Sequence, residues 1–216
     1  MTMPIEQTVS ILGSGYFQPI ADLVERSLKW PVTKRSSVSA LYYDNIYATS
    51  IILLMVASLE SYATRLRYIK GITTASRNFT VGNYIKHVFH DFRLVKAVTE
   101  VFVLRDVIFH NHLWEIDFSW RPVKLQKASL IKHREDKKFA DVVNPTTRRT
   151  RNLRLHIVPT RVDRRDALKV IDTVWKTLIF LEQKDRRYCY VSDHNVPFRG
   201  HMKPFLEVRN ALAAAL

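Results

Sequence analysis

Between Leu41 and Lys70 the chain runs for 30 residues without a glycine or a proline, and Gly71 stands at its end. Apolar residues recur within it at Ile46, Leu53, Met55, Val56 and Ala57. That pattern predicts one long helix, stopped where a glycine can adopt a helix-terminating conformation. At 1.5 Å per residue it would span about 45 Å, long enough to be the scaffold along which the other elements pack. The chain as a whole has only 5 Gly and 8 Pro in 216 residues, which favours long helices over a turn-rich sheet design. The most apolar part, Ile46 to Leu59, contains Thr49, Ser50 and Ser58. It falls short of the roughly 20 residues that a membrane span requires, so a core helix is expected and no membrane partner.

Shorter helices are predicted over Tyr16 to Trp30, stopped by Pro31, and over Val81 to Phe92, where Tyr84, Ile85, Val88 and Phe89 share a face. A further helix is expected over Arg93 to Asp117, with Pro122 ending the helical pattern. Another opens at Asp163, a candidate N-cap, and runs to Arg187 with Ala167, Val170, Ile171, Val174, Leu178 and Leu181 on one face. A last one covers Pro204 to Leu216. Two runs with partial alternation, Val123 to His133 and Asn152 to Val158, read as strands. The polar segment Arg134 to Arg151 between them reads as a loop. The expected fold is all-α: an antiparallel helical bundle forming a single domain over 1–216. It carries a basic β-hairpin-like insertion at 121–162 and a C-terminal extension at 188–216. The single Cys189 excludes an internal disulfide framework and a cysteine-rich zinc site. Met1 to Ser10 has no basic cluster followed by an apolar stretch. A cytoplasmic location is therefore expected.

The segment Phe92 to Trp114 is apolar almost all the way round a helix, yet it holds Glu100, Arg105, Asp106, His110, Asn111 and His112. Unpaired polar groups out of water cost several kcal/mol, so such a conflict marks a site or a satisfied polar network. On a helix Asp106 and His110 lie one turn apart on one side, so the carboxylate can orient the imidazole. Arg105 lies about 140° from His110 at 100° per residue, so the two do not aim at one atom on a single straight helix. A two-fold dimer would bring two copies face to face. The residue types suit phosphodiester chemistry. An imidazole can take the proton of a ribose 2′-hydroxyl or give one to the leaving 5′-oxygen. A guanidinium can hold the phosphate at two points and stabilise the charge that develops on it. His87, His90, His110 and His112 have no accompanying cysteine, and neither a metal nor another cofactor is expected.

Arg105-Asp106-x-x-x-His110 resembles the catalytic signature of the HEPN superfamily, in which Arg is followed after four to six residues by His, commonly with Asn, Asp or His directly after the Arg. The resemblance covers mainly Leu41 to Trp114 and Asp163 to Arg187. It implies a metal-independent endoribonuclease acting as a homodimer with a composite site in the interface cleft. It also implies a toxin, abortive-infection or other anti-phage role, with an antitoxin or defence-complex protein as a possible partner. Arg105 and His110 would be catalytic, Asp106 orienting, and Glu60, Asn111 and His112 supporting; Glu60 could pair with Arg105 or, alternatively, with Thr64 or Arg67 on its own helix. Readings from other classes are a catalytically inert helical module that binds nucleic acid or a partner protein, and a binding domain that accompanies nucleotidyltransferases.

The formal net charge is +14, with a pI near 10.0, which favours polyanionic partners. Between Arg121 and Arg165 there are 14 Lys or Arg against 4 Asp or Glu, so +10 of the excess lies in 45 residues. Arg148, Arg149, Arg151, Arg154, Arg161, Arg164 and Arg165 form the dense part. Arginine matches phosphate geometry, so these seven are expected to hold the RNA backbone without reading its bases.

Overall fold

The computed structural model describes residues 12–31, 39–110, 114–120, 123–130 and 137–216. In chain order these form α1 (Phe17–Leu28), α2 (Tyr42–Lys70), α3 (Val81–Val88) and α4 (Val95–Phe109). Then come the antiparallel pair β1 (Trp114–Trp120) and β2 (Val123–Leu130), α5 (Lys137–Val142), and the two-residue strands β3 (Val143–Asn144) and β4 (Arg149–Thr150). The chain closes with α6 (Arg164–Lys184), the hairpin β5 (Asn195–Phe198) and β6 (His201–Pro204), and α7 (Phe205–Ala214). The protein is mostly helical, as expected; of the three antiparallel pairings among the described residues, β3–β4 lies within the expected insertion, β1–β2 straddles its start and β5–β6 lies in the C-terminal segment.

Helix α2 is the scaffold, touching α1, α3, α4 and α6. It starts after Leu41, whose backbone is extended, and stops at Gly71, whose φ of +78° is disfavoured for residues with a Cβ. Its fully buried side chains include Ile51, Ile52, Met55, Val56, Leu59 and Leu66. Each apolar side chain of that size contributes about 1.5–3 kcal/mol by leaving water. Of the residues expected to mark its buried face, Met55 and Val56 are buried, Leu53 and Ala57 are half-buried and Ile46 is exposed. A helix packed by neighbours on several sides has no single apolar stripe to read. By length and composition alone α2 could cross a membrane, and half of its most apolar window is buried inside the fold. Gly13 sits so close to Tyr62 of α2 that a Cβ would lie 2.6 Å from the ring. Glycine is therefore required there, and its carbonyl accepts the Ser58 hydroxyl at 2.8 Å.

Helix α6 opens on a capping box: the Asp163 side chain accepts N–H groups of the first turn, and Asp166 reaches back to the Asp163 N–H. This satisfies donors that would otherwise be orphaned. The α6 start is also tied to α2. Asn45 donates to the carbonyls of Pro159 and Val162 at 2.8 and 2.9 Å, and Asp44 pairs with Arg164.

Three boundary expectations need correction. The helix expected over Arg93 to Asp117 ends at Phe109, with His110 as its C-cap, and Trp114–Trp120 is a strand. The alternation Trp114, Ile116, Phe118, Trp120 against Glu115, Asp117, Ser119 is a period-2 signal, masked in the sequence by the apolar helical pattern that runs up to it. Asn152 to Val158, expected as a strand, makes only an isolated bridge, between Arg149 and His156. The expected loop Arg134 to Arg151 contains α5, β3 and β4. Val143 and Ile157 join Val103 of α4 in a small apolar cluster of their own. The 188–216 segment, expected as an extension, contributes Val191, Val196, Phe198, Phe205, Val208 and Leu212 to the main core. Phe205 packs on Phe17 of α1 with ring centroids 4.6 Å apart.

Candidate functional site

Helix α4 buries Val98, Val101, Leu104 and Val107 and leaves Arg105 and Asp106 half-buried on another face. Arg105 Nη2 donates to Glu60 Oε1 of α2 at 2.9 Å. Its Nε lies 3.1 Å from Asp106 Oδ1, an ion-pair distance. The Nε–H is not aimed for a hydrogen bond and has no such partner among the described residues, so the contact counts as charge pairing alone. Asp106 Oδ2 accepts from Lys138 Nζ of α5 at 3.2 Å. Both cations lie over the Phe102 ring, at 5.4 and 5.8 Å. Glu60, Arg105, Asp106 and Lys138 thus form a chain of alternating charge that joins three helices.

His110 is exposed at the end of α4. Its backbone N–H donates to the Asp106 carbonyl at 2.9 Å, and its ring meets the exposed Phe109 edge-on, with centroids 5.2 Å apart. No hydrogen bond joins the Asp106 carboxylate to the imidazole. The orienting role expected for Asp106 is therefore corrected: its carboxylate goes to Arg105 and Lys138, because two cations attract it more strongly than an imidazole does. Asn111 and His112 lie outside the described residues.

Glu100, one turn and a half before Arg105, is 2% exposed. Its two oxygens accept the backbone N–H groups of Asn152 and Leu153, each at 2.6 Å. An open cleft of about 470 Å³ beside it is lined by Lys96, Thr99, Asp141 and Arg151 among others. Its charges are of both signs, and it lies on the N-terminal half of α4, away from His110.

The seven arginines expected to hold RNA separate into three groups. Arg151, Arg154 and Arg165 are exposed, and Arg148, Arg149 and Arg161 are half-buried. Arg164 is 2% exposed. It donates from Nε to Asp44 Oδ1 at 2.8 Å and from Nη2 to the Trp30 carbonyl at 2.9 Å. It is a core ion pair and is removed from the RNA-holding set. Arg149 donates to the Arg154 carbonyl at 3.0 Å and approaches His156 Nε2 at 2.7 Å. A guanidinium only donates, so His156 Nε2 accepts, and Nδ1 donates to Asp166 Oδ2 at 2.8 Å. Burial, then the Arg149 and Arg148 guanidiniums, hold Arg161 below the ordinary arginine range.

Sequence reading missed Lys138, and it missed that His156 and Asp166 gather with the expected N-cap Asp163 into one buried trio. Potential ligand atoms of the trio lie within 4.8 Å of one another, close enough to hold a metal. Hydrogen bonding accounts for the arrangement: Asp163 and Asp166 cap α6, and His156 links Asp166 to Arg149. A guanidinium at Nε2 is a poor neighbour for a second cation. Compared with known proteins, the chain matches no family model, no curated protein and no solved structure.

Proposed function

We propose that the chain is a metal-independent endoribonuclease of HEPN type, an antiparallel helical bundle that acts as a homodimer. The observation that carries the reading is the end of α4, where Glu60 holds the Arg105 guanidinium at the surface and His110 stands exposed five residues on. The two side chains diverge round the helix by about 140°. A complete site therefore takes Arg105 and His110 from both protomers across a two-fold axis. Phe109, 67% exposed beside His110, supplies apolar area for such an interface.

In the proposed reaction one His110 removes the ribose 2′-hydroxyl proton as that oxygen attacks the adjacent phosphorus. The partner's His110 gives a proton to the departing 5′-oxygen, leaving a 2′,3′-cyclic phosphate and a 5′-hydroxyl. Arg105, with donors left after its bond to Glu60, stabilises the charge on the phosphoryl oxygens. The nucleophile belongs to ribose, so RNA is cut and DNA is spared. A cytoplasmic toxin or anti-phage effector, restrained by an antitoxin or defence-complex protein, is the setting that fits such chemistry.

RNA cleavage in EDTA tests this, comparing the intact chain with His110→Ala and Arg105→Ala. Activity in EDTA that both substitutions abolish is expected. Cleavage retained in both variants would overturn the site, and loss of cleavage by the intact chain in EDTA would overturn the metal-free mechanism. A second reading is favoured by the closed charge chain from Glu60 to Lys138, in which every member has a partner. It makes the chain a catalytically inert subunit that binds nucleic acid or a partner protein. Salt-sensitive RNA binding without cleavage would select it.

A further inference from the structure

Trp30 and Tyr43 stack face to face, with ring centroids 3.9 Å apart and planes 12° from parallel. Tyr42 meets Tyr43 edge-on at 5.4 Å. The three are 41%, 44% and 72% exposed, and none belongs to the apolar core. Exposed aromatic groups of this kind mark interaction surfaces.

Their chemistry is narrowed by what stands beside them. The Ala40 N–H donates to the Thr160 carbonyl at 2.9 Å, Asn45 binds the Pro159 and Val162 carbonyls, and the Trp30 carbonyl takes the Arg164 side chain. These bonds fix the aromatic corner against the Pro159–Arg161 turn. Arg161 on that turn shares its surroundings with Arg149 and Arg148, two further guanidiniums. Among the described residues no salt bridge neutralises any of the three. Asp163 and Asp166 act on Arg161 through their charge, and both are engaged in the α6 cap and with His156. Arg149 is held in place by His156 Nε2 and the Arg154 carbonyl and keeps donors to spare.

We propose that Trp30, Tyr43 and Tyr42, with Arg161, Arg149 and Arg148 alongside, form a binding surface for single-stranded nucleic acid. Unpaired bases stack on the rings, and the guanidiniums hold the backbone phosphates. A duplex keeps its bases stacked on one another and has no use for the platform. The inference rests on the proposed function only for the choice of RNA as cargo. The surface itself stands apart, since Tyr43 and Glu60 are 17 residues apart on α2, about 26 Å at the helical rise.

The test is fluorescence anisotropy with a fluorescein-labelled 20-nucleotide single-stranded RNA and a blunt duplex of the same length. It uses the full chain carrying His110→Ala, so that cleavage does not intervene. Tyr42→Ala and Tyr43→Ala are each expected to weaken single-strand binding roughly tenfold, with unchanged melting temperature for the exposed Tyr42, and Tyr43→Trp to restore it. Arg161→Ala is expected to reduce the slope of log affinity against log salt by about 0.7. Tyrosine variants that bind as tightly as their parent, or a duplex bound equally tightly with the same tyrosine sensitivity, would overturn the proposal. The two readings fail separately. Absence of cleavage with tyrosine-dependent binding leaves this surface standing, whereas cleavage by the His110 chain with tyrosine-independent binding removes it alone.

Discussion

Replacing Glu100 with alanine tests whether a charge inside the most apolar helix is there for architecture. Glu100 is 2% exposed and accepts the Asn152 and Leu153 amides at 2.6 Å each. Hydrogen bonds to a charged group contribute roughly 1.5–3 kcal/mol net, so two bonds set an upper range of about 3–6 kcal/mol. Asn152 is exposed and Leu153 half-buried, so water reaches the orphaned amides and replaces part of what is lost. The expected loss for Glu100→Ala is therefore about 2–4 kcal/mol. At about 2–4 °C per kcal/mol for a chain of this size, the melting temperature should fall by roughly 4–16 °C. Glu100→Gln keeps one acceptor but sets an NH₂ group against an amide N–H, so it should be intermediate. Urea unfolding measures the total, and hydrogen exchange at the Asn152 and Leu153 amides measures the local part. A loss below about 0.5 kcal/mol, or unchanged protection of those two amides, would refute the reasoning.

Two further outcomes are expected from buried polar groups. Arg164→Met should cost about 3–5 kcal/mol by leaving the Asp44 carboxylate buried without its cation, and adding Asp44→Asn should recover part of it in urea unfolding; a loss below about 1 kcal/mol would show the pair to be dispensable. Stability should also fall in acid in two steps, read from urea midpoints between pH 8 and pH 2.5. Burial lowers the His194 pKa, so its contribution is present above the unfolded value of roughly 6.5 and is lost as pH falls through the folded value. Burial pushes the Glu182 carboxyl up, but the Ser192 hydroxyl and the Val191 and Ser192 amides outweigh it and hold it below the ordinary range. Its contribution is lost at lower pH, below roughly 4.3. His194→Gln should remove the upper step and leave the lower one.

The elements legible in the sequence are those whose ends are chemically marked. Gly71 closes α2 and Asp163 caps α6 within the chain's own local vocabulary, and the apolar face of α6 follows the 3.6-residue period. What was not legible depended on contacts made across the chain. The buried side of α2 is decided by several neighbours at once, so Ile46 is outside and Ile51 inside. The end of α4 was hidden because the apolar residues of Phe92 to Trp114 run almost all the way round a helix, and only the strict alternation from Trp114 to Trp120 marks the change of period. Arg164 reads as one more arginine in a basic run, and nothing local reveals that Asp44, 120 residues away, waits in the core.

The charges in α4 resolve into unlike cases once their partners are known. Glu100 is an anchor for the loop that carries Arg151 and Arg154, and it is fully accounted for by two amides. Asp106 is held between Arg105 and Lys138, so of the residues in the motif it is the one whose position most resembles plain architecture. Arg105 differs from both. A guanidinium has five N–H donors, and a catalytic one must be held without being used up; Glu60 engages Nη2, and the Asp106 contact at Nε is a charge contact without a hydrogen bond. The spare donors stand at the same helix end as the exposed His110. The proposed chemistry therefore places a sharper demand on Glu60 than on Asp106: losing Glu60 should free Arg105 to swing, whereas losing Asp106 should leave it anchored. Glu60→Gln is expected to reduce cleavage more than Asp106→Asn does, and the opposite order would mean that Arg105 is positioned through Asp106.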